Sequence, residues 1–182
     1  MNRIYLWNKH ILNKDHLYKL QKTNACESST LDKMIFNVSQ NVAINDAKQI
    51  LSCLTAVELI TAQKPIVYRS KKSIAAFKLR KNAIIGCKLT LRKSNLYEFL
   101  DSLVFLVLPK LPNFKGFSQT QGRGRNNLNI GLTNLVDFPQ LNYNSDRFQQ
   151  KTGATVTFIR KKNQKKDKVL NLVLNGFQLP HC

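Results

Sequence analysis

Short stretches of the chain alternate apolar and polar residues with a period of two, which is typical of β-strands that bury one face. In "DKMIFNVS", Met34, Phe36 and Val38 share one face, and Ile35 and Asn37 lie on the other. The stretches "PIVYRS", "IIGCKLTLR", "LNIGL" and "GATVTFIR" are predicted to form further strands. The chain therefore has enough strands for a sheet.

A different spacing, in which apolar residues recur every three or four positions, predicts an amphipathic helix after Ser94. We expect Ser94 to cap this helix, and Pro109 and Pro112 to end it. Its apolar face comprises Leu96, Phe99, Leu100, Leu103, Val104, Val107 and Leu108.

Two more helices are predicted upstream. A short one runs from His10 to Lys22 and carries the apolar residues Ile11, Leu12, Leu17, Tyr18 and Leu20. A longer one follows Asn45 or Asp46, either of which can cap it. The apolar face of the longer helix comprises Ala47, Ile50, Leu51, Leu54, Val57 and Ile60.

Helices and strands interleave without an internal repeat or a regular βαβ rhythm. We therefore predict an α+β fold, in which helices pack on one face of a single, mainly antiparallel sheet. Because 182 residues can bury one sizeable core but are few for two ordinary domains, residues 1–182 are expected to form a single domain.

The net charge of the chain limits the classes of molecule that it is expected to bind. The chain has 29 Lys and Arg against 10 Asp and Glu, so its net charge is +19, while 43% of its residues are hydrophobic. The apolar fraction supports a folded core, and the surplus charge repels itself unless a polyanion offsets it. A nucleic acid is the first candidate partner and an anionic membrane surface the second. The longest apolar run, "LVFLVLP", is too short to span a bilayer.

The positive charge is densest in "QKPIVYRSKKSIAAFKLRKNAIIGCKLTLRK", residues 63–93, which contain no acidic residue. Along its second strand, Lys88, Thr90 and Arg92 alternate with apolar residues, so one face of that strand is cationic. Between the two strands the alternation breaks, and Asn82 and Gly86 both tolerate turn conformations. This break predicts a projecting basic loop at residues 73–85.

Such a surface suits RNA, because Lys and Arg neutralise phosphates while uncharged groups bond to sugars and base edges. Asn37, Gln63 and Thr90 are the uncharged candidates. Phe77 or Tyr68 could stack on a base; the alternative for Phe77 is that it anchors the loop to the core. A second stretch, "QGRGRNN", places two arginines beside glycines but lacks the signature of a phosphate-binding Walker loop.

Other chemistries have little support. The four cysteines are scattered without a C-x-x-C pair, so no zinc site or other metal or cofactor is predicted, and Cys53 and Cys87 are expected to be buried free thiols. Glu98 and Asp101 are the one carboxylate pair with helical spacing. They leave open a metal-dependent nucleic-acid enzyme as the alternative function, beside a basic peripheral membrane protein.

Residues 61–92, "TAQKPIVYRSKKSIAAFKLRKNAIIGCKLTLR", strongly resemble the bacterial-type ribosomal protein five of the large subunit. The similarity continues through "YEFLDSLVFLVLPKLPNFKGFS", "GRGRNNLNIGL" and "VDFPQLNYN" in the same order. The resemblance implies a noncatalytic protein of the central protuberance that binds 5S rRNA and contacts P-site tRNA. Its other implied partners are large-subunit rRNA and neighbouring ribosomal proteins.

The resemblance, which implies roles for Asn37, Gln63, Thr90 and the loop, and the distribution of positive charge together assign residues. The expected rRNA-binding residues are Asn37, Gln63, Lys64, Arg69, Lys71, Lys72, Lys88, Thr90, Arg92, Arg123 and Arg125. The expected tRNA-contacting loop contains Ser73, Phe77, Lys78, Arg80, Lys81 and Asn82.

Departures from the family pattern indicate where this version has drifted. "VSQN" replaces a Gly-rich turn after the first strand, and "GRGRNNL" lacks the usual aromatic pair. Together with the Lys, Asn and Ile bias, this drift indicates a ribosomal protein of the mitochondrial matrix, with a plastid or the bacterial cytoplasm as alternatives. Residues 1–9 are expected to be a short N-terminal extension, and residues 161–168 a basic surface loop.

Overall fold

The computed structural model describes residues 2–24, 28, 30–39, 47–111, 114, 116, 127–141, 152–160, 172–173 and 175–179. Its helices are α1 (Arg3–Trp7), α2 (Asn13–Lys19), α3 (Ala47–Thr61) and α4 (Lys93–Ser102). Its strands are β1 (Leu31–Ser39), β2 (Ile66–Arg69), β3 (Ile84–Leu91), β4 (Asn127–Leu132) and β5 (Ala154–Arg160). The described strands form one open antiparallel sheet in the order β2-β3-β1-β5-β4, which confirms the predicted α+β fold.

Contacts between residues divide the chain into two compact units. The first comprises Met1–Met34, Leu91–Ile130 and Thr157–Cys182, and the second comprises Ile35–Thr90 and Gly131–Val156. Each of the strands β1, β3, β4 and β5 therefore has residues in both units. The prediction of a single domain stays a prediction, and the segment 161–168 lies outside the described residues.

In the first unit, the core forms around α4 and its continuation. After α4 the chain makes a π-helical turn, Leu103–Val107, and a 3-10 turn, Leu108–Lys110. All seven residues of the predicted apolar face are buried. The predicted cap is wrong, because the helix begins at Lys93, and Ser94 lies in its first turn with its hydroxyl hydrogen-bonded to the Asn95 side chain.

The N-terminal helix differs from its prediction in both start and face. Helical structure begins at Arg3 and continues through a π-helical turn, Asn8–Leu12, to Lys19. Because a π-turn inserts one extra residue, it rotates the face that follows it. Leu12 and His16 are therefore buried, whereas Tyr18, expected on the apolar side, is 85% exposed.

In the second unit, α3 packs through Cys53, Ala56, Val57 and Ile60, which are all buried. Leu51 is predicted on this face but is 62% exposed, because one helical step of about 100° carries it away from the buried Ile50. The predicted cap residues of α3, at positions 45 and 46, lie outside the described residues. Alternation in the strands is as predicted, with Phe36, Val38, Ala154 and Val156 buried in this unit.

One buried hydrogen bond ties the N-terminal helix to α4 in the first unit. The Asn8 side-chain amide donates to the Tyr97 hydroxyl over 2.9 Å, and both residues are buried. Burial raises the pKa of Tyr97, although the bond from Asn8 acts in the opposite direction. The pair links two elements that are 89 positions apart in the chain.

Replacing Tyr97 with Phe removes the acceptor and leaves a buried amide without it. We expect Tyr97→Phe to lower the free energy of unfolding by about 1–3 kcal/mol, measured by urea denaturation. Tyr18→Phe makes the same chemical change at an exposed side chain and should have almost no effect. Equal midpoints for the two variants would contradict this role for the Asn8–Tyr97 bond.

Candidate nucleic-acid interface

The two faces of β3 differ sharply in chemistry. Cys87, Leu89 and Leu91 are buried, while Lys88 and Thr90 between them are exposed. The edge strand β2 pairs antiparallel with β3, and Ile66 lies opposite Lys88 in the register. Because opposite residues of paired strands share a face, Ile66, which is 66% exposed, belongs to the same open surface. Sequence reasoning missed Ile66, since an apolar strand residue alone predicts burial.

Uncharged hydrogen-bonding groups also lie on this open surface. The Gln63 side-chain amide approaches the Thr90 carbonyl oxygen at 3.5 Å, the long end of the hydrogen-bond range, and both side chains are exposed. Asn37 is half-buried between Phe36 and Val38 on β1, the strand next to β3. The structure therefore brings Asn37, Gln63 and Thr90 to one region of the second unit.

A close approach of β1 to β3 shapes the same region. The Tyr68 hydroxyl donates to the Val38 carbonyl over 3.3 Å, crossing the position of Gly86, which pairs with Tyr68 in the register. A Cβ atom at Gly86 would lie 2.2 Å from that carbonyl oxygen and 2.7 Å from the Tyr68 hydroxyl. Gly86 is thus required for close packing within β3, and its predicted role in a turn is wrong.

Tyr68 is predicted as a candidate for stacking on a base, but its hydroxyl is hydrogen-bonded to the Val38 carbonyl of β1. Burial raises the pKa of Tyr68, and hydrogen bonding by Ser39 and Asn37 acts in the opposite direction. The side chain therefore remains a neutral hydrogen-bonding group near Asn37 at neutral pH. In this geometry, Tyr68 holds the end of β1 beside its neighbouring strand β3.

The segment 70–83, between β2 and β3, is internally hydrogen-bonded. The Ser70 amide donates to the Ala83 carbonyl over 2.8 Å, and the Asn82 amide donates back to the Ser70 carbonyl over 3.0 Å. Further along, Ile74 and Leu79 exchange two backbone bonds around a 3-10 turn, Ala75–Phe77. These bonds close the segment into a small hairpin.

Two residues of this small hairpin have a left-handed backbone conformation. Asn82 has a φ of 68°, the left-handed region for which its side chain is well suited, as predicted. Lys78 also has a positive φ, of 52°. Phe77 is 71% exposed, so the alternative that it anchors the segment to the core is wrong. Five further residues of the predicted tRNA-contacting loop are all exposed: Ser73, Lys78, Arg80, Lys81 and Asn82.

The basic residues of the second unit at positions 64–88 have no protein counter-ions within the described chain. Lys64, Arg69 and Lys88 are exposed and make no ion pair there, and the same holds for Lys71, Lys72, Lys78, Arg80 and Lys81. The ion pairs among the described residues all lie in the first unit: Arg3–Asp101, Lys19–Asp15 and Arg92–Asp32. The cations at positions 64–88 are therefore not compensated by any residue that the structure describes.

Arg92 differs from the other described basic candidates in having a protein counter-ion. It belongs to the first unit, where its guanidinium lies 3.2 Å from the Asp32 carboxylate. Arg123 and Arg125 lie outside the described residues.

Two family models and a relative of known family match nearly the whole chain. Residues 84–181 match the family model for the C-terminal part of the ribosomal L5 family, and residues 24–80 match the model described as Ribosomal protein L5. The chain is 39% identical over 180 residues to the Large ribosomal subunit protein uL5m of Reclinomonas americana, covering 99% of this chain and 98% of that protein. This chain belongs to the ribosomal protein L5 family. The resemblance found in the sequence is confirmed.

The carboxylate pair of the enzyme alternative has an ordinary structural setting in this L5-family protein. Asp101 forms an ion pair with Arg3 over 2.7 Å, and Glu98 is exposed. Within the described ranges, no three potential metal-ligating side chains cluster together. The L5 family is a class of structural ribosomal proteins, which favours neither the enzyme alternative nor the membrane alternative. No helix in the described part of the chain is long and apolar enough to cross a membrane.

The approach of β1 over Gly86 makes a stability prediction for this L5-family protein. Gly86→Ala places a methyl group against backbone atoms that cannot move independently, so we expect unfolding to become easier by about 1–3 kcal/mol or more. The measurement is the midpoint of urea unfolding.

Gly131→Ala is the matched control, because a Cβ at Gly131 meets nothing within 4 Å. It should leave the unfolding midpoint close to that of the unmodified protein. A Gly86→Ala variant as stable as the Gly131→Ala variant would contradict the close approach.

Proposed function

We propose that this L5-family protein is a constituent of the large ribosomal subunit that binds 5S rRNA through the open surface of the second unit. The observation that supports the proposal best is the set of exposed cations at positions 64–88 that make no ion pair with any described residue. Such cations gain most from phosphates, because no intramolecular pair has to be broken first. Membership in the family supplies the class of partner.

The polar groups on the surface complement these cations. Lys64 and Lys88 neutralise phosphates, whereas Asn37, Gln63 and Thr90 provide donors and acceptors for sugar hydroxyls and base edges. The hydrogen bond from Tyr68 to Val38 keeps β1, and hence Asn37, in place beside β3. In this account the fold positions a fixed array of groups, and the RNA conforms to that array.

The small hairpin of residues 70–83 has a separate role in the proposal: it contacts P-site tRNA. Phe77 is exposed near Lys78 and Arg80, so it can stack on a base while the cations bind the backbone. Backbone bonds within the hairpin limit the ordering that binding requires. The further partners are large-subunit rRNA and neighbouring ribosomal proteins. We place the protein on the ribosome of the mitochondrial matrix, in keeping with its similarity to uL5m of Reclinomonas americana.

For 5S rRNA, we expect affinity to fall steeply as salt rises. Lys88→Gln should weaken binding severalfold and reduce the magnitude of the salt slope by about one. Lys19→Gln removes the same charge from a residue paired with Asp15 in the other unit, and should change neither quantity appreciably. The measurement is filter binding at several salt concentrations.

Two outcomes would contradict the rRNA proposal. One is an affinity of the unmodified protein that does not depend on salt. The other is an equal loss in both variants, which would mean that net charge alone governs binding.

For tRNA, we expect the double variant Lys78→Ala with Arg80→Ala to retain 5S rRNA binding but weaken P-site tRNA binding in reassembled ribosomes. The variant Lys64→Ala with Lys88→Ala should show the opposite pattern, because these residues lie outside the hairpin. Both activities are measured for each variant. Parallel losses in the two variants would show that hairpin and strand face bind one and the same RNA.

A further inference from the structure

Two thiols of the second unit touch inside the protein. Cys53 on α3 and Cys87 on β3 have their Sγ atoms 3.8 Å apart, although they are 34 positions apart in the chain. Their residues are 5% and 1% exposed, respectively, and both thiols are free. The contact joins the buried side of β3, behind Lys88 and Thr90, to the helix that covers it.

The contact makes the two thiols chemically unequal. The hydrogen bond between the two thiols lowers the pKa of Cys87, and the same bond, together with burial, raises the pKa of Cys53. Of the two sulfurs, Cys87 is therefore the one that becomes a thiolate, and Cys53 keeps its proton. A nucleophilic thiolate beside a protonated partner is the arrangement in which one sulfur reacts and the other resolves the product.

We propose that Cys53 and Cys87 form an oxidisable dithiol, which a hydroperoxide converts into an intramolecular disulfide that joins α3 to β3. This inference concerns the buried side of the unit and does not rest on the proposed RNA binding. It needs no third residue, because the resolving thiol is already in contact with the reacting one.

The reaction has two steps. The Cys87 thiolate attacks one oxygen of hydrogen peroxide, breaks the O–O bond and forms a sulfenic acid. The hydroxide released takes up the proton that the Cys87 thiol had lost and leaves as water. The Cys53 sulfur then attacks the sulfenic sulfur, forms the S–S bond and displaces a second water, which carries away the Cys53 proton. Overall, two thiols and one hydrogen peroxide give one disulfide and two waters.

Burial and distance set the conditions for this reaction. The oxidant has to reach sulfurs that are almost inaccessible, so oxidation should be slow and should depend on local opening of the unit. The sulfurs must approach from 3.8 Å to about 2.0 Å in the product. Once formed, the bond closes a loop between positions 53 and 87, which restricts the unfolded chain and raises stability.

The experiment uses full-length protein with Cys26→Ser and Cys182→Ser, so that Cys53 and Cys87 are the remaining cysteines. The reduced protein is treated with hydrogen peroxide under native conditions, and its free thiols are then counted after unfolding. We expect both thiols to disappear, the mass to fall by about 2 Da for the two hydrogens lost, and peptide mapping to find the Cys53–Cys87 linkage. The thermal midpoint should rise and should return after dithiothreitol.

A second variant tests the division of roles without relying on the cross-link. In Cys53→Ala, Cys87 has no resolving partner, so peroxide should carry it to a sulfinic acid, a gain of about 32 Da for two oxygens. If Cys53→Ala fails to fold, the variant that retains both thiols still decides the question by mass and thiol count. Persistence of both thiols, oxygen addition without a disulfide, or linkage only between molecules would overturn the proposal.

Discussion

Strand β3 must satisfy two environments at once, and most of the molecule's functional surface follows from that constraint. Cys87 and Leu89 are buried and Cys87 touches Cys53 of α3, whereas Lys88 and Thr90 are exposed. Because neighbouring side chains of a strand point to opposite faces, the core cannot form without presenting the lysine and threonine on the open surface. Burial of a few apolar residues thus aligns the groups proposed to bind RNA.

The described ion pairs are distributed unequally between the two units. The first unit neutralises several of its charges internally, as in the Arg3–Asp101 and Arg92–Asp32 pairs. The described residues of the second unit leave their cations at positions 64–88 without partners. Like charges at this density repel one another in the free protein, so a bound polyanion stabilises the surface on which it lies. Ribosomal RNA is such a polyanion, and this chain belongs to a ribosomal family.

Local sequence patterns predicted most of the described architecture, because the spacing of apolar residues is a local property of the chain. The described strands, the face of α4 and the left-handed conformation of Asn82 were accessible in this way. The buried face of the N-terminal helix could not be predicted in this way. A π-turn rotates the residues that follow it, and the spacing of the apolar residues gives no sign of that turn. Likewise, Ser94 has the chemistry of a cap but lies inside the helix, beyond the cap position that Arg92 occupies.

The sequence indicated which residue types make up the candidate site, but not which of them contact one another. Asn37, Gln63 and Thr90 could be chosen as uncharged hydrogen-bonding residues amid positive charge. Contacts between elements were hidden, however, because residues far apart in the chain make them. The passage of Tyr68 over Gly86 to Val38 is one, and the touching thiols of Cys53 and Cys87 are another.

The most direct test of the central claim is a lysine footprint of the protein, free and bound to 5S rRNA. We predict that Lys64 and Lys88 react readily with an acylating reagent in the free protein and become protected in the complex. Lys19, which is ion-paired in the other unit, should react equally in both states. Undiminished reactivity of Lys64 and Lys88 in a complex shown to be fully formed would contradict the claim that this surface binds RNA.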